Sequence, residues 1–237
     1  MTDFSELWPG GPRFAAGGHF PLGTDSVLLA DFVPLGGARR GIDLGCASGA
    51  LSLLLLARSE RLHMTGLELV PAAAALAEEN LRENGWEERG EIVCGDIRAV
   101  RSLFRAGEFD LVAANPPFFP VGSGALSPNA ERAAARGEIS CTLGELCAAA
   151  AFLCRTGGRF CLVHRCERLS EVFVEMSARG LEPKRLRLVC ARPGAAPSLA
   201  LIEGRRGGAP GLAVEPVLYL EDGCGGESAE LRRIYRR

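Results

Sequence analysis

Lysine is nearly absent from this chain: Lys184 is the single one among 27 basic residues, so arginine supplies almost all the positive charge. Neither sign dominates. The formal net charge is −2, which carries no global signature of a nucleic-acid-binding protein. Histidine is also sparse. His19, His63 and His164 lie far apart in sequence and form no nucleophile–base constellation. The nine cysteines include no C-x-x-C pair, and Cys46, Cys94, Cys161 and Cys190 fall within apolar runs. Buried free thiols are therefore expected, and neither a metal site nor disulfides. Cys161 and Cys166 flank His164, but alternation along a strand keeps such a set from converging on one ion. No apolar run reaches the length of a membrane span, because Arg and Glu interrupt every candidate. Asp3 and Glu6 near the start do not suit a basic-then-apolar signal segment. The expectation is a soluble, cytoplasmic protein with neither a membrane partner nor a metal.

What is present is an ordinary globular balance, 47% hydrophobic and 24% charged over 237 residues. A single domain over 1–237 follows, in which 1–34 supply an N-terminal extension and a first helix. Strand and helix signals alternate, which implies an α/β protein with a mostly parallel sheet covered on both faces. Strands are expected at Ile42–Leu44, His63–Glu68, Glu91–Cys94, Phe109–Ala114, Arg159–Val163, Arg185–Cys190 and Leu199–Glu203, seven in all. Helices are expected over 25–33, 50–57, 71–84, 142–155 and 169–179. Caps mark several of them: Thr24 or Asp25 before the first, Pro71 in the first turn of the third, Gly85 and Gly180 as stops. Only the Pro193-Gly194 and Pro197 turns separate the last two strands, which should pair antiparallel and put one reversed strand in the sheet. Residues 119–141 show no periodicity and read as a substrate loop.

Chemistry collects at the ends of these strands. Gly45 and Gly49 follow the first strand and open the second helix, the arrangement that lets backbone approach a nucleotide-like ligand. The full G-x-G-x-x-G spacing is missing, so a pyrophosphate cradle is disfavoured. Glu68 ends the next strand at an offset from Asp43 that suits a carboxylate on ribose hydroxyls. Asp96 can accept from an adenine amino group while Ile97 packs on the ring; a helix N-cap is the plainer reading of Asp96. Asn115-Pro116-Pro117-Phe118 closes the fourth strand. Its prolines lack N–H donors, so carbonyl oxygens and a flat aromatic face remain for a planar ligand bearing an –NH2 group. Asp43, Glu68, Asp96 and Asn115 thus fall at four successive strand ends, where open α/β sheets bind ligands. Late arginine-rich stretches occur at Lys184–Arg187, Arg205-Arg206, Arg232-Arg233 and Arg236-Arg237.

On these motifs the chain resembles the class I S-adenosylmethionine-dependent methyltransferases, with their Rossmann-like fold. More narrowly it is similar to the tRNA(Val) adenine-N6-methyltransferase-like family. Gly23–Leu29, Val163–Leu169, Gly180–Leu186 and Leu201–Gly204 carry that closer resemblance, which covers about residues 13 to 220. It implies S-adenosyl-L-methionine as cofactor, held by Asp25, Asp43, Gly45, Cys46, Gly49, Glu68, Leu69, Asp96, Ile97 and Asn115. It implies Asn115, Pro116, Pro117 and Phe118 as the catalytic turn, acting on adenine N6 in a tRNA anticodon loop. Arg132, Arg136, His164, Lys184, Arg185 and Arg187 are the candidates for substrate contact, with His164 also readable as a structural histidine. The same turn serves enzymes that methylate guanine N2 in ribosomal RNA or a protein glutamine amide. A non-catalytic cofactor-binding scaffold is the remaining alternative.

Overall fold

The computed structural model describes residues 2–17, 22–116 and 141–236. The central sheet is built from β3 (Arg40–Leu44), β4 (His63–Glu68), β5 (Gly90–Cys94), β6 (Phe109–Ala114), β7 (Cys154–Arg165), β8 (Leu181–Cys190) and β9 (Pro197–Arg206). Their spatial order is β8-β9-β7-β6-β3-β4-β5. Neighbours from β5 to β7 pair in parallel, whereas β9 runs antiparallel to both β7 and β8. One strand is therefore reversed, and it comes from the expected C-terminal hairpin.

Two additions bring the sheet to nine strands. The two-residue strands β10 (Ala213–Val214) and β11 (Leu218–Tyr219) pair in parallel with β8 at its outer edge. A separate hairpin of β1 (Ser5–Glu6) and β2 (Arg13–Phe14) opens the chain. These segments are too short to show a hydrophobic period, so only the Pro9–Pro12 turn hints at them.

The inner parallel strands β3, β4, β6 and β7 are largely buried on both faces, whereas β5 at the edge is part-exposed. Leu111, Ala113, Cys161, Val163, Leu199 and Leu201 face one core with α1 (Thr24–Phe32), α2 (Ala50–Leu56) and α7 (Ala229–Ile234). Their alternates Val112, Ala114, Phe160, Leu162, Ala200 and Ile202 face the other, against α5 (Leu143–Leu153) and α6 (Leu169–Ser177). The remaining helices are α3 (Pro71–Glu83) and the single turn α4 (Val100–Leu103). α5 carries a capping box: Thr142 Oγ1 accepts from Glu145 N, and Glu145 Oε2 accepts from Thr142 N at 2.8 Å. It stops at Leu153, two residues earlier than expected. Strand β7 starts directly at Cys154, which pairs with Phe109 across a bulge, and Gly157 makes the bend at φ +76°.

All nine cysteines are free, but Cys94 is exposed where an apolar run suggested burial. No helix among the described residues is long and apolar enough to cross a membrane.

Candidate functional site

The carboxyl ends of β3, β4, β5 and β6 bring Asp43, Glu68, Asp96 and Asn115 to one edge of the sheet. Between β3 and α2 the chain makes a tight turn. Gly45 and Gly49 adopt φ +75° and +82°, and Ala47 is forced to +49°, a region that costs a residue with a side chain about 1 kcal/mol. The turn is pinned from β4. Gly45 N and Cys46 N both donate to Leu67 O, at 2.8 and 3.1 Å. Ala47 N donates to Glu68 Oε2, and Val70 N to Glu68 Oε1, each at 2.8 Å. Glu68 is thus a backbone brace, buried to 8% exposure, with lone pairs left for further donors. A Cβ on Gly49 would sit 3.2 Å from that of Ala77, so glycine also permits close packing of α3.

Asp43 is fully buried, and Ser52 Oγ donates to its Oδ2 at 3.1 Å. Desolvation, reinforced by the nearby Glu68 charge, pushes its carboxyl up to about 7 despite that hydrogen bond. Asp25, in the first turn of α1, is also raised by burial, with Arg165 pulling it back. Both acids line a cavity of about 170 Å³ that also meets Ser26, Gly45, Cys46, Ala47 and Asn115. Burial, with Asp43 and Glu68 nearby, holds the Cys46 thiol protonated. A larger cavity, about 410 Å³, lies at the opposite edge around Arg40, His63 and Arg89 and contains none of these residues.

Asn115 is oriented by a residue the sequence did not single out. Its Nδ2 donates to Ser26 Oγ at 2.9 Å, a contact spanning 89 positions. The amide's donor side is thereby engaged and Oδ1 is left as the acceptor. Asn80 is a second unforeseen element. Fully buried, it donates to Ser48 O at 2.9 Å and exchanges hydrogen bonds with the Ala15 backbone, tying the glycine turn to the N-terminal segment.

Other expected residues take varied places. Ile97 lies over Gly45, its Cδ1 3.9 Å from where a Cβ would be, and Leu69 exposes 40% of its surface beside Glu68. Asp96 caps the turn that follows β5: its Oδ1 accepts from Arg98 N at 2.8 Å, and the Arg98 guanidinium holds the carboxyl below its usual range. Pro116 is half-buried after Asn115. His164 is buried at the end of β7, where its Nδ1 accepts from Arg165 N at 2.9 Å and burial keeps it neutral. Pro117, Phe118, Arg132 and Arg136, with nearly all of the 119–141 loop, lie outside the described residues.

The structure does not bring Lys184, Arg185 and Arg187 to this edge. They sit along β8, where Lys184 Nζ donates to Ala209 O, Arg185 pairs with Glu203 and Glu215, and Arg187 pairs bidentately with Glu230. Arg185 faces Glu203 across the β8–β9 ladder and stacks 4.0 Å from the Phe32 ring centroid. Arg185 and Arg187 are thus paired within the fold, whereas Lys184 meets a backbone carbonyl.

This sheet order is that of the Rossmann-like class I methyltransferase fold. The methyltransferase small domain family model matches residues 18–168, and the chain belongs to that family. Among its relatives, the tRNA1(Val) (adenine(37)-N6)-methyltransferase of Tolumonas auensis is 34% identical over 76% of this chain and 74% of its own length. The Bacteroides fragilis protein of the same name is 32% identical over 76% and 75%. That of Enterobacter sp. is 38% identical over a shorter stretch, 60% of this chain and 57% of the relative. Among solved structures, one described as a predicted O-methyltransferase from Agrobacterium tumefaciens superposes with TM-score 0.74 at 20% identity, covering 90% and 96% of the two chains. A geranyl diphosphate C-methyltransferase from Streptomyces coelicolor, holding S-adenosyl-L-homocysteine, superposes at 0.57 with 14% identity over 76% and 77%. At these identities the two structures support the fold alone.

Proposed function

We propose that this protein transfers a methyl group from S-adenosylmethionine to the N6 amino group of an adenine in a tRNA anticodon loop. The observation that carries the proposal is the orientation of Asn115, with its amide NH2 engaged by Ser26 and its carbonyl oxygen left to accept. The names of the relatives at 32–34% identity supply the substrate class. The residues present suit the cofactor. Two acids, the half-buried Asp25 and the buried Asp43, line the cavity where a sulfonium and an ammonium group would lie, and paired negative charge favours a cationic ligand. The cavity of about 170 Å³ holds only part of a nucleoside-sized ligand. Glu68, Leu69, Asp96 and Ile97 continue along the strand ends for the ribose and adenine.

The cofactor supplies an already electrophilic methyl, so the chain's task is alignment. An adenine amino nitrogen is a poor nucleophile because its lone pair is delocalised into the ring. Asn115 Oδ1 and the Pro116 carbonyl accept its two hydrogens, which favours a pyramidal nitrogen with the lone pair directed at the methyl. Once methylated, the amino nitrogen would be cationic and would release its proton to water. A strong general base is unnecessary, consistent with a neutral, buried His164. Phe118 is assigned to stack on the base, for about 1–3 kcal/mol.

The test is transfer of labelled methyl to separate tRNA, rRNA and protein fractions, followed by nucleoside and amino-acid analysis. Label in N6-methyladenosine of tRNA supports the proposal. Label only in N2-methylguanosine or in a methylated glutamine would overturn it.

A further inference from the structure

With Arg185 and Arg187 paired to carboxylates along β8, that strand is a poor positive surface for a polyanion, and a better one is needed. One occurs where the N-terminal hairpin, α1, the end of α2 and α7 meet. There a cavity of about 140 Å³ is bounded by Trp8, Asp31, Arg58, Arg233 and Arg236. Three guanidiniums surround it and one carboxylate answers them. Asp31 accepts from Arg233 at 3.1 and 3.3 Å, while Glu230 stands 3.8 Å from Arg233 and is already bound bidentately by Arg187. Arg236 is placed 4.3 Å from the centroid of the Trp8 ring, its own backbone in the left-handed region at φ +57°. Arg58 is anchored by donating to Ala30 O and Val33 O at the end of α1. Around this cavity the Arg58, Arg233 and Arg236 guanidiniums face the single lining carboxylate of Asp31, so positive charge exceeds negative there.

Trp8 is held as a platform. Gly11 N donates to Trp8 O at 2.8 Å, and a Cβ at Gly11 would come within 2.4 Å of the indole, so glycine lets the ring lie against the turn. The cluster is also joined to the methyl-transfer site through α1. Tyr235 donates to Thr24 Oγ1 at 3.0 Å, at the first turn, whose Asp25 and Ser26 line the cofactor cavity. Ser26 and Ala30 are one helical turn apart, about 6 Å along the axis.

We propose that Trp8, Arg58, Arg233 and Arg236 form a docking site for the RNA substrate, taking phosphate on the guanidiniums and an unstacked base on the Trp8–Arg236 surface. This rests on the tRNA reading above. An indole beside an arginine plane within an only partly compensated basic cluster matches the way single-stranded RNA is held, by stacking and phosphate neutralisation together. The local excess stands out in a chain whose net charge is −2.

The experiment uses the full chain with Arg233→Glu and Arg236→Glu combined, leaving Arg58 in place because it anchors α1. The expected result is a KM for tRNA raised about tenfold at moderate salt, and a log–log salt dependence flattened by about 2. Turnover at saturating tRNA and cofactor affinity should hold. A folded double variant with unchanged KM and salt slope overturns the proposal. A wild-type protein that methylates no tRNA contradicts the functional reading instead, and the surface is then read directly by fluorescence. In a Trp86→Phe background, tRNA should quench Trp8 emission, and Arg236→Glu should abolish that quenching. Bound tRNA without quenching, or equal quenching by an acidic polypeptide, also overturns it.

Discussion

Asn115 Nδ2 lies 2.9 Å from Ser26 Oγ, so the strand-end amide is oriented by the first turn of a helix 89 positions away. With its NH2 turned to Ser26, Asn115 presents its oxygen to the site. Ser26→Ala should therefore lower kcat by about tenfold, the scale of one orienting hydrogen bond, with a melting temperature close to wild type. Ser26→Thr, which keeps the hydroxyl, should restore most of it. Unchanged turnover in Ser26→Ala would remove the orienting role.

Asp43 should make cofactor binding pH-dependent. Its folded value near 7 lies above the ordinary carboxylate value, so the native state holds this proton more tightly than the unfolded chain. Its contribution to stability is accordingly full below about pH 4, declines as pH rises toward 7, and is constant above. A cationic ligand favours the ionised carboxyl. S-adenosylmethionine affinity should rise by up to about tenfold per pH unit between about pH 5.5 and 7, then level off. Calorimetry in buffers of different ionisation enthalpy should show proton release over that range. Asp43→Asn should flatten the profile, and an unaltered profile in that variant would exclude Asp43 as its source.

Glu68 braces the glycine turn through two backbone N–H groups as well as facing the expected ribose position. Glu68→Ala should weaken cofactor binding by about 1–3 kcal/mol and also lower the melting temperature without ligand, because Ala47 and Val70 lose their acceptor. Loss of affinity with unchanged stability would mean that the brace contributes nothing to the turn.

Arg185 should behave as a structural residue. Arg185→Ala leaves Glu203, 8% exposed, with Arg159 as its remaining cation and removes the stack on Phe32. A loss of about 1–3 kcal/mol in chemical denaturation is expected, with KM for tRNA unchanged. A raised KM with full stability would return Arg185 to the substrate surface.

The strand ends were legible because each buried parallel strand is a short apolar run closed by a glycine, an acid or the Asn115-Pro116 pair. The alternation of Leu111 and Ala113 against Val112 and Ala114 between the two cores is that same signal seen in three dimensions. What stayed hidden depends on contacts distant in sequence. Ser26 and Asn80 look like ordinary helix residues until the fold sets them beside Asn115 and the glycine turn. The run Lys184–Arg187 reads as a basic surface, because the sequence does not reveal Glu203, Glu215 and Glu230 waiting across the ladder and on α7. The hairpin β1–β2 and helix α7 are too short to carry a period, and with them went the meeting of Trp8 and Arg236.

The most direct measurement is single-turnover methyl transfer to tRNA by Asn115→Ala at saturating S-adenosylmethionine. The expected result is a rate constant lower by about 10²–10³, the scale of losing one preorganised contact to the reacting group, with cofactor affinity within about twofold of wild type. Wild-type transfer by the folded variant would contradict the assignment of Asn115 as the acceptor that positions the amino nitrogen.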